Sequence, residues 1–150
     1  MKEISDILAR VAGFGAGDRA VLATVTEVIG SGYRLPGARM LIMPDGTTSG
    51  TVSGGCLEAD VLERAKRVLA SGEPEIFTYD TTDNEGSVFS LNMGCRGVIR
   101  IRLETIGKDS PIIAKLNAAY HGREASEDAV PPIALLLFGL LALAFYMQDL

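Results

Sequence analysis

The sequence predicts an α+β domain with a mixed or mainly antiparallel sheet and three helices, plus a C-terminal apolar segment. Three observations carry that prediction. Residues 21–29 are rich in Val, Thr and Ile, and residues 97–106 alternate apolar and charged positions, both patterns of strands. Pro44-Asp45-Gly46 is a turn in which proline presets φ and glycine accepts positive φ, so residues 38–43 and 47–52 can pair as a hairpin. Leu57, Val61, Leu62, Ala65, Val68 and Leu69 form an apolar stripe at helical spacing.

The remaining elements follow in chain order. Ile4, Ile7, Leu8 and Val11 share one face of an amphipathic helix over 3–12, ended by Gly13, Gly15 and Gly17. Strand 21–29 leads into a loop, 30–37, rich in glycine and closed by Pro36-Gly37. After the hairpin, the second helix covers 56–70. Glu58, Asp60 and Glu63 sit early in it and Lys66 and Arg67 late, complementing its dipole, and Gly72 and Pro74 stop it. Residues 75–79 read as a strand, 80–87 as turns and 88–91 as a short strand. Strand 97–106 carries Arg100, Arg102 and Glu104 on one wet face. Ser110 as N-cap and Pro111 as first helical residue open a helix that Gly122 ends. The domain thus spans 1–122, with a polar, proline-ended linker over 123–132 and an apolar tail over 133–150.

Composition sets the limits. A chain of 150 residues with 47% apolar content is long enough for one core and too apolar for disorder. Its net charge of −5 argues against a nucleic-acid binder, and two cysteines, Cys56 and Cys95, cannot staple a domain of this size. Acids rather than a basic, then apolar, stretch follow Met1, so no export signal is visible and the expected compartment is the cytoplasm. Mean hydropathy is +0.24, raised by residues 133–147, which contain no charge. That stretch falls short of the roughly 20 residues a spanning helix needs and has no basic flank, which argues against a membrane span.

Chemistry concentrates in three segments. In Ser53-Gly54-Gly55-Cys56-Leu57-Glu58, two glycines allow close backbone approach where a strand ends, and Cys56 is expected in the first helical turn. Free N–H groups and the positive dipole end would there hold an anion and favour a thiolate. A small buried cysteine with glycines for tight packing is the bland alternative. In the loop 30–37 and the strand after it, Arg34 and Arg39 are either functional or merely solvated. In Asn92-Met93-Gly94-Cys95-Arg96-Gly97, Cys95 is either a partner for Cys56 or a packed thiol. As zinc ligands the two cysteines fail, because no Cys-x-x-Cys pair exists, and His121, the sole histidine, is expected at a helix end on the surface. Arg34 and Arg39 face only Asp45 within residues 30–56, and Arg96, Arg100 and Arg102 face no acid within 92–103. If these segments converge, they form a positive pocket on an acidic protein, suited to a phosphorylated small molecule.

At these residues the sequence resembles the N-terminal domain of the xanthine dehydrogenase accessory (XdhC/CoxI) family. The resemblance rests on Leu22-Ala23-Thr24-Val25, Gly30-Ser31, Pro36-Gly37-Ala38-Arg39-Met40, Asp45-Gly46 and the run from Gly50 to Glu58, with a looser echo at Gly94-Cys95-Arg96-Gly97. It implies an accessory protein, a chaperone rather than a turnover enzyme. Such a protein transiently binds the molybdenum cofactor (molybdopterin), an anionic phosphorylated pterin dithiolene, and assists its sulfuration and insertion into a xanthine dehydrogenase-type molybdoenzyme. A cysteine desulfurase belongs to that picture as a partner. By the resemblance Cys56 contacts the cofactor or handles its sulfur, and Ser53, Gly54 and Gly55 line the site. Charge adds Arg34, Arg39 and Arg96 as phosphate neighbours, with Cys95 beside them.

Full-length relatives continue into a Rossmann-like domain. Residues 131–139 resemble its first strand, but Leu140 to Tyr146 replace the glycine-rich continuation. The chain is therefore expected to hold the N-terminal module and to lack the nucleotide-binding half, with the tail burying itself on the domain or between the subunits of a homo-oligomer. Two other functions stay open at this level: a sulfur-transfer enzyme using Cys56 as nucleophile, and a truncated homologue acting only as an oligomerisation module.

Overall fold

A computed structural model describes residues 2–30, 32, 34–80 and 97–127. Helix α1 (Lys2–Ala12) precedes strands β1 (Ala20–Gly30), β2 (Arg39–Ile42) and β3 (Thr48–Gly50). Helix α2 (Glu58–Ser71), strands β4 (Glu75–Asp80) and β5 (Gly97–Ile106), and helix α3 (Pro111–Glu127) follow. The strands form one antiparallel sheet in the order β3-β2-β1-β5-β4, so the expected α+β class with three helices holds among the described residues.

Strand periodicity explains the layering. Odd positions of β1 and β5, such as Val21, Ala23, Val25, Ile101 and Leu103, pack in one cluster with Val61, Ala65 and Val68 of α2. Even positions such as Ala20, Leu22 and Ile106 join Ile7 and Val11 of α1, and Ile113 and Leu116 of α3, in a second cluster on the opposite face. With both faces covered, the first half of β1 is a continuous apolar run rather than an alternation. Beyond the reach of α1 and α3 the second face becomes wet. There Arg100 pairs with Glu27 at 2.8 Å and Arg102 with Glu104 at 3.5 Å.

The hairpin turn forms as expected. The Gly46 N–H donates to the Met43 carbonyl at 2.9 Å, and Asp45 accepts from the Thr47 N–H and hydroxyl. Three bounds differ from the sequence reading by two residues or more. Strand β3 stops at Gly50, and α2 begins at Glu58 rather than 56. Helix α3 runs past Gly122 to Glu127, so the first residues of the expected linker are helical, and His121 lies inside the helix with its ring 5.5 Å from that of Tyr120. Glycine lowers helix propensity by only about 1 kcal/mol and does not by itself end a helix. Ser110 opens α3 through its carbonyl, which accepts from Ile113 and Ala114, while its hydroxyl turns back to accept from the Gly107 N–H.

The chain divides into two compact units, Met1–Leu116 and Asn117–Leu150. The first holds the sheet, α1, α2 and the start of α3, and it contains every site residue discussed below. The expected strand at 88–91, Cys95, Arg96 and the apolar tail lie outside the described residues.

Candidate functional site

The site begins where β3 ends. Gly50 has φ +87°, and a Cβ there would stand 2.3 Å from the Arg39 carbonyl oxygen. Only glycine takes this position without displacing backbone. From Thr51 the chain dips into the core: Val52 and Ser53 are buried, and Leu57 is 1% exposed at the N-cap of α2. Gly54 and Gly55, both at positive φ, carry the chain back out. Cys56 is exposed and unbridged. It precedes the capping residue and so lies outside the first helical turn, which corrects the expectation that the helix end bears directly on its sulfur.

An anion does sit at this helix start, and it belongs to the chain. The Glu58 carboxylate accepts hydrogen bonds from the Thr51 hydroxyl, the Ser53 hydroxyl, the Ser53 N–H (3.1 Å) and the Gly55 N–H (2.9 Å). The Ser53 oxygen accepts in turn from the Leu57 N–H at 2.9 Å, and Thr51 Oγ1 accepts from the Gly54 N–H at 2.9 Å. Burial pushes the Glu58 carboxyl up, but the hydroxyls of Ser53 and Thr51 and the Ser53 N–H outweigh it and hold it at about 2. The amides of Gly54 and Gly55, expected to serve an outside anion, are thus engaged within the loop.

Helix α2 is also fixed along its length. Arg64 bridges Asp60 (2.8 Å) and Glu75 (2.6 Å) and lies over the Phe77 ring, 4.4 Å from its centre. The Tyr79 hydroxyl donates to Asp60. Burial raises Asp60, yet the hydrogen bonds from Tyr79 and Arg64 leave it below its ordinary value, while burial and the bond to Asp60 push Tyr79 up. Sequence reading assigned these residues no joint role.

The arginines divide into two groups. Arg100 and Arg102 are matched by Glu27 and Glu104 on the wet face of the sheet, so they do not add to a positive pocket as expected. Arg34 pairs with Glu3 of α1. The Arg39 N–H donates to the other oxygen of Glu3 at 2.9 Å, and its Nη1 donates to the Gly37 carbonyl at 2.8 Å. Among the described residues, the Nε atoms of Arg34 and Arg39 are buried without an acceptor. Glu3 and Glu58 are therefore the site residues that sequence reading missed. Glu58 had a local signal, an acid just inside a helix that follows Ser-Gly-Gly. Glu3 had none, since its partners lie more than thirty residues away.

Among the described residues, no group of three or more His, Cys, Asp or Glu side chains is placed to hold a metal ion. No helix among them is long and apolar enough to cross a membrane.

Known proteins share this sequence pattern and fold. The profile of the XdhC and CoxI family matches residues 14–80. The chain is 35% identical over 92 residues to a probable xanthine dehydrogenase component of Bacillus subtilis, covering 61% of this chain and 28% of that protein. It is 36% identical over 103 residues to the molybdenum cofactor insertion chaperone PaoD of Escherichia coli, covering 68% of this chain and 31% of PaoD. A crystal structure of a xanthine dehydrogenase from Bacillus halodurans superposes with a TM-score of 0.63 at 35% identity, covering 81% of this chain and 34% of that one. The chain thus spans about a third of the length of these relatives. Through residues 14–80, which run from the end of α1 across β1 to β3, the Cys56 loop, α2 and β4, the chain belongs to the XdhC and CoxI family.

Proposed function

We propose that this chain is an accessory module for molybdoenzymes: it binds the molybdenum cofactor as cargo and assists its sulfuration and insertion into a xanthine dehydrogenase-type enzyme. The observation that carries this reading is the 36% identity to a molybdenum cofactor insertion chaperone across 103 residues that include the Cys56 loop. A cysteine desulfurase as sulfur donor, action in the cytoplasm and self-association belong to the same proposal.

The residues fit parts of such a ligand unequally. A pterin dithiolene offers a soft, sulfur-rich metal end and a hard phosphate end. Cys56, an exposed thiol, suits the first by ligand softness. The amides of Ser53, Gly55 and Leu57 do not suit the second, because Glu58 and Ser53 already accept from them and a carboxylate beside a phosphate is repulsive. Arg34 and Arg39, with buried donors still lacking acceptors, suit the phosphate better. Cys56 therefore holds the sulfur end, the two arginines neutralise the phosphate, and the Ser53–Glu58 hydrogen bonds fix the thiol rather than contact the ligand. Arg96 and Cys95 remain assigned to the cofactor on charge and resemblance alone.

Isothermal titration of the full chain with isolated molybdenum cofactor tests this. Binding by wild type, weakened at least about tenfold in Cys56→Ala, is the expected result, since each tenfold is about 1.4 kcal/mol of lost contact. Equal binding by Cys56→Ala removes the site assignment, and no binding by wild type removes the function.

A further inference from the structure

We propose that the Glu3 carboxylate stands where a ligand phosphate or pyrophosphate belongs, so that the first turn of α1 plugs an anion subsite at Arg34 and Arg39. The inference rests on the reading above that these arginines take the phosphate of an organic ligand.

Four observations support it. Glu3 bridges the two arginines: one oxygen takes the Arg34 guanidinium and the other takes the Arg39 N–H at 2.9 Å. Its path is built into the fold, because Gly50 leaves the space that the Glu3 stem occupies and a Cβ there would touch Glu3 Cγ at 3.0 Å. The match is nevertheless incomplete. Both Nε donors are buried and unmet among the described residues, and the one carboxylate meets the guanidinium of Arg34 but only the backbone N–H of Arg39. A buried donor without an acceptor is unfavourable, so the cluster lacks oxygens. A phosphate carries more acceptor oxygens and a second negative charge, which supplies what the carboxylate cannot. A cleft of about 500 Å³ opens beside these groups, lined by Lys2, Glu3, Arg34, Pro36 and Gly37, and Arg39 Nη1 reaches its wall at the Gly37 carbonyl.

The plug can open without unseating α1. Ile7 and Val11, the buried residues of that helix, lie beyond Glu3 and stay in the core, so rotation of the Glu3 side chain suffices. An intramolecular carboxylate that must leave lowers apparent affinity by the fraction of open molecules.

The experiment is calorimetric titration of the full chain with inorganic pyrophosphate, in wild type, Glu3→Gln, Arg34→Gln and Arg39→Gln, with circular dichroism reporting the fold. Removing the competing charge in Glu3→Gln should tighten pyrophosphate binding about tenfold, within the usual range of such coupling. Arg34→Gln should weaken it by at least about tenfold. Should Arg34→Gln fail to fold, Arg34→Lys keeps the charge but not the bidentate fork and should still weaken binding. Glu3→Gln binding no tighter than wild type, or an arginine variant binding as well as wild type, overturns the proposal. Pyrophosphate behaviour as expected with no uptake of molybdenum cofactor overturns the cofactor reading alone. Cofactor uptake together with unchanged pyrophosphate affinity in Glu3→Gln overturns the plug alone.

Discussion

The Thr51–Glu58 loop and the Glu3–Arg34–Arg39 cluster are each organised around one carboxylate, and they differ in where the donors come from. In the loop every donor to Glu58 lies within seven residues of it, two hydroxyls and two amides closing on one acidic group. In the cluster the donors come from a distant loop and strand, and two buried Nε groups are left over. A glycine-rich helix entry, the usual mark of an anion site, is here closed by the protein's own anion. The arginine-bearing connector, which read equally well as solvated, is the region with unmet hydrogen-bonding capacity. Donor supply near a glycine turn does not identify a ligand site until the local acids have been counted.

The contrast can be broken most directly at Glu58. Glu58→Ala leaves four donors without their acceptor and is expected to cost about 3 kcal/mol in urea unfolding. A loss under about 1 kcal/mol would mean the loop is not closed by this residue. Next in size, Gly50→Ala forces a Cβ to 2.3 Å from the Arg39 carbonyl at a φ of +87°, for an expected loss of about 2–3 kcal/mol in thermal unfolding. An unchanged melting temperature would show that the β3 end gives way easily.

Acid sharpens the same comparison. Glu58 is near 4.5 when unfolded and about 2 when folded, so the folded state favours the ionised form. That contribution is complete above pH 4.5 and disappears as pH falls towards 2. Denaturant midpoints measured across this window should fall in wild type by more than in Glu58→Gln, and parallel profiles would exclude the assignment. A smaller effect, about 1 kcal/mol, is expected for Thr51→Val, which loses the hydroxyl between Glu58 and the Gly54 N–H. Smallest is Cys56→Ser, whose exposed side chain should change stability by no more than about 0.5 kcal/mol. A larger loss would make Cys56 a structural residue.

Much of the architecture was legible because it follows from local rules. The apolar stripe from Leu57 to Leu69 gave α2, the Pro44-Asp45-Gly46 turn gave the β2–β3 pairing, and the alternation around Arg100 and Arg102 gave β5 with its wet face. Errors fell where local signals compete. Leu57 fits the helical stripe and is buried against α2's cluster, yet it caps the helix instead of belonging to it, which moved the expected start towards Cys56. Gly122 has the composition of a stop but keeps a helical conformation, and α3 continues. In the candidate site, the nearness of Cys56 to a helix start was readable, whereas its place on an exposed loop ahead of the cap and the occupation of its neighbouring amides were not. The pairing of Arg34 with Glu3 was out of reach altogether, since it depends on how α1 lies against β3.

The burial of Leu57 has a mechanical consequence. Cys56 stands between two flexible glycines and a residue sealed in the core, and the helix that follows is bolted to β4 through Arg64, Asp60, Glu75 and Tyr79. On the α2 side the thiol has little freedom to swing. In the proposed role, a surface visiting this sulfur would have to adapt to a thiol held from the α2 side, rather than the thiol to it.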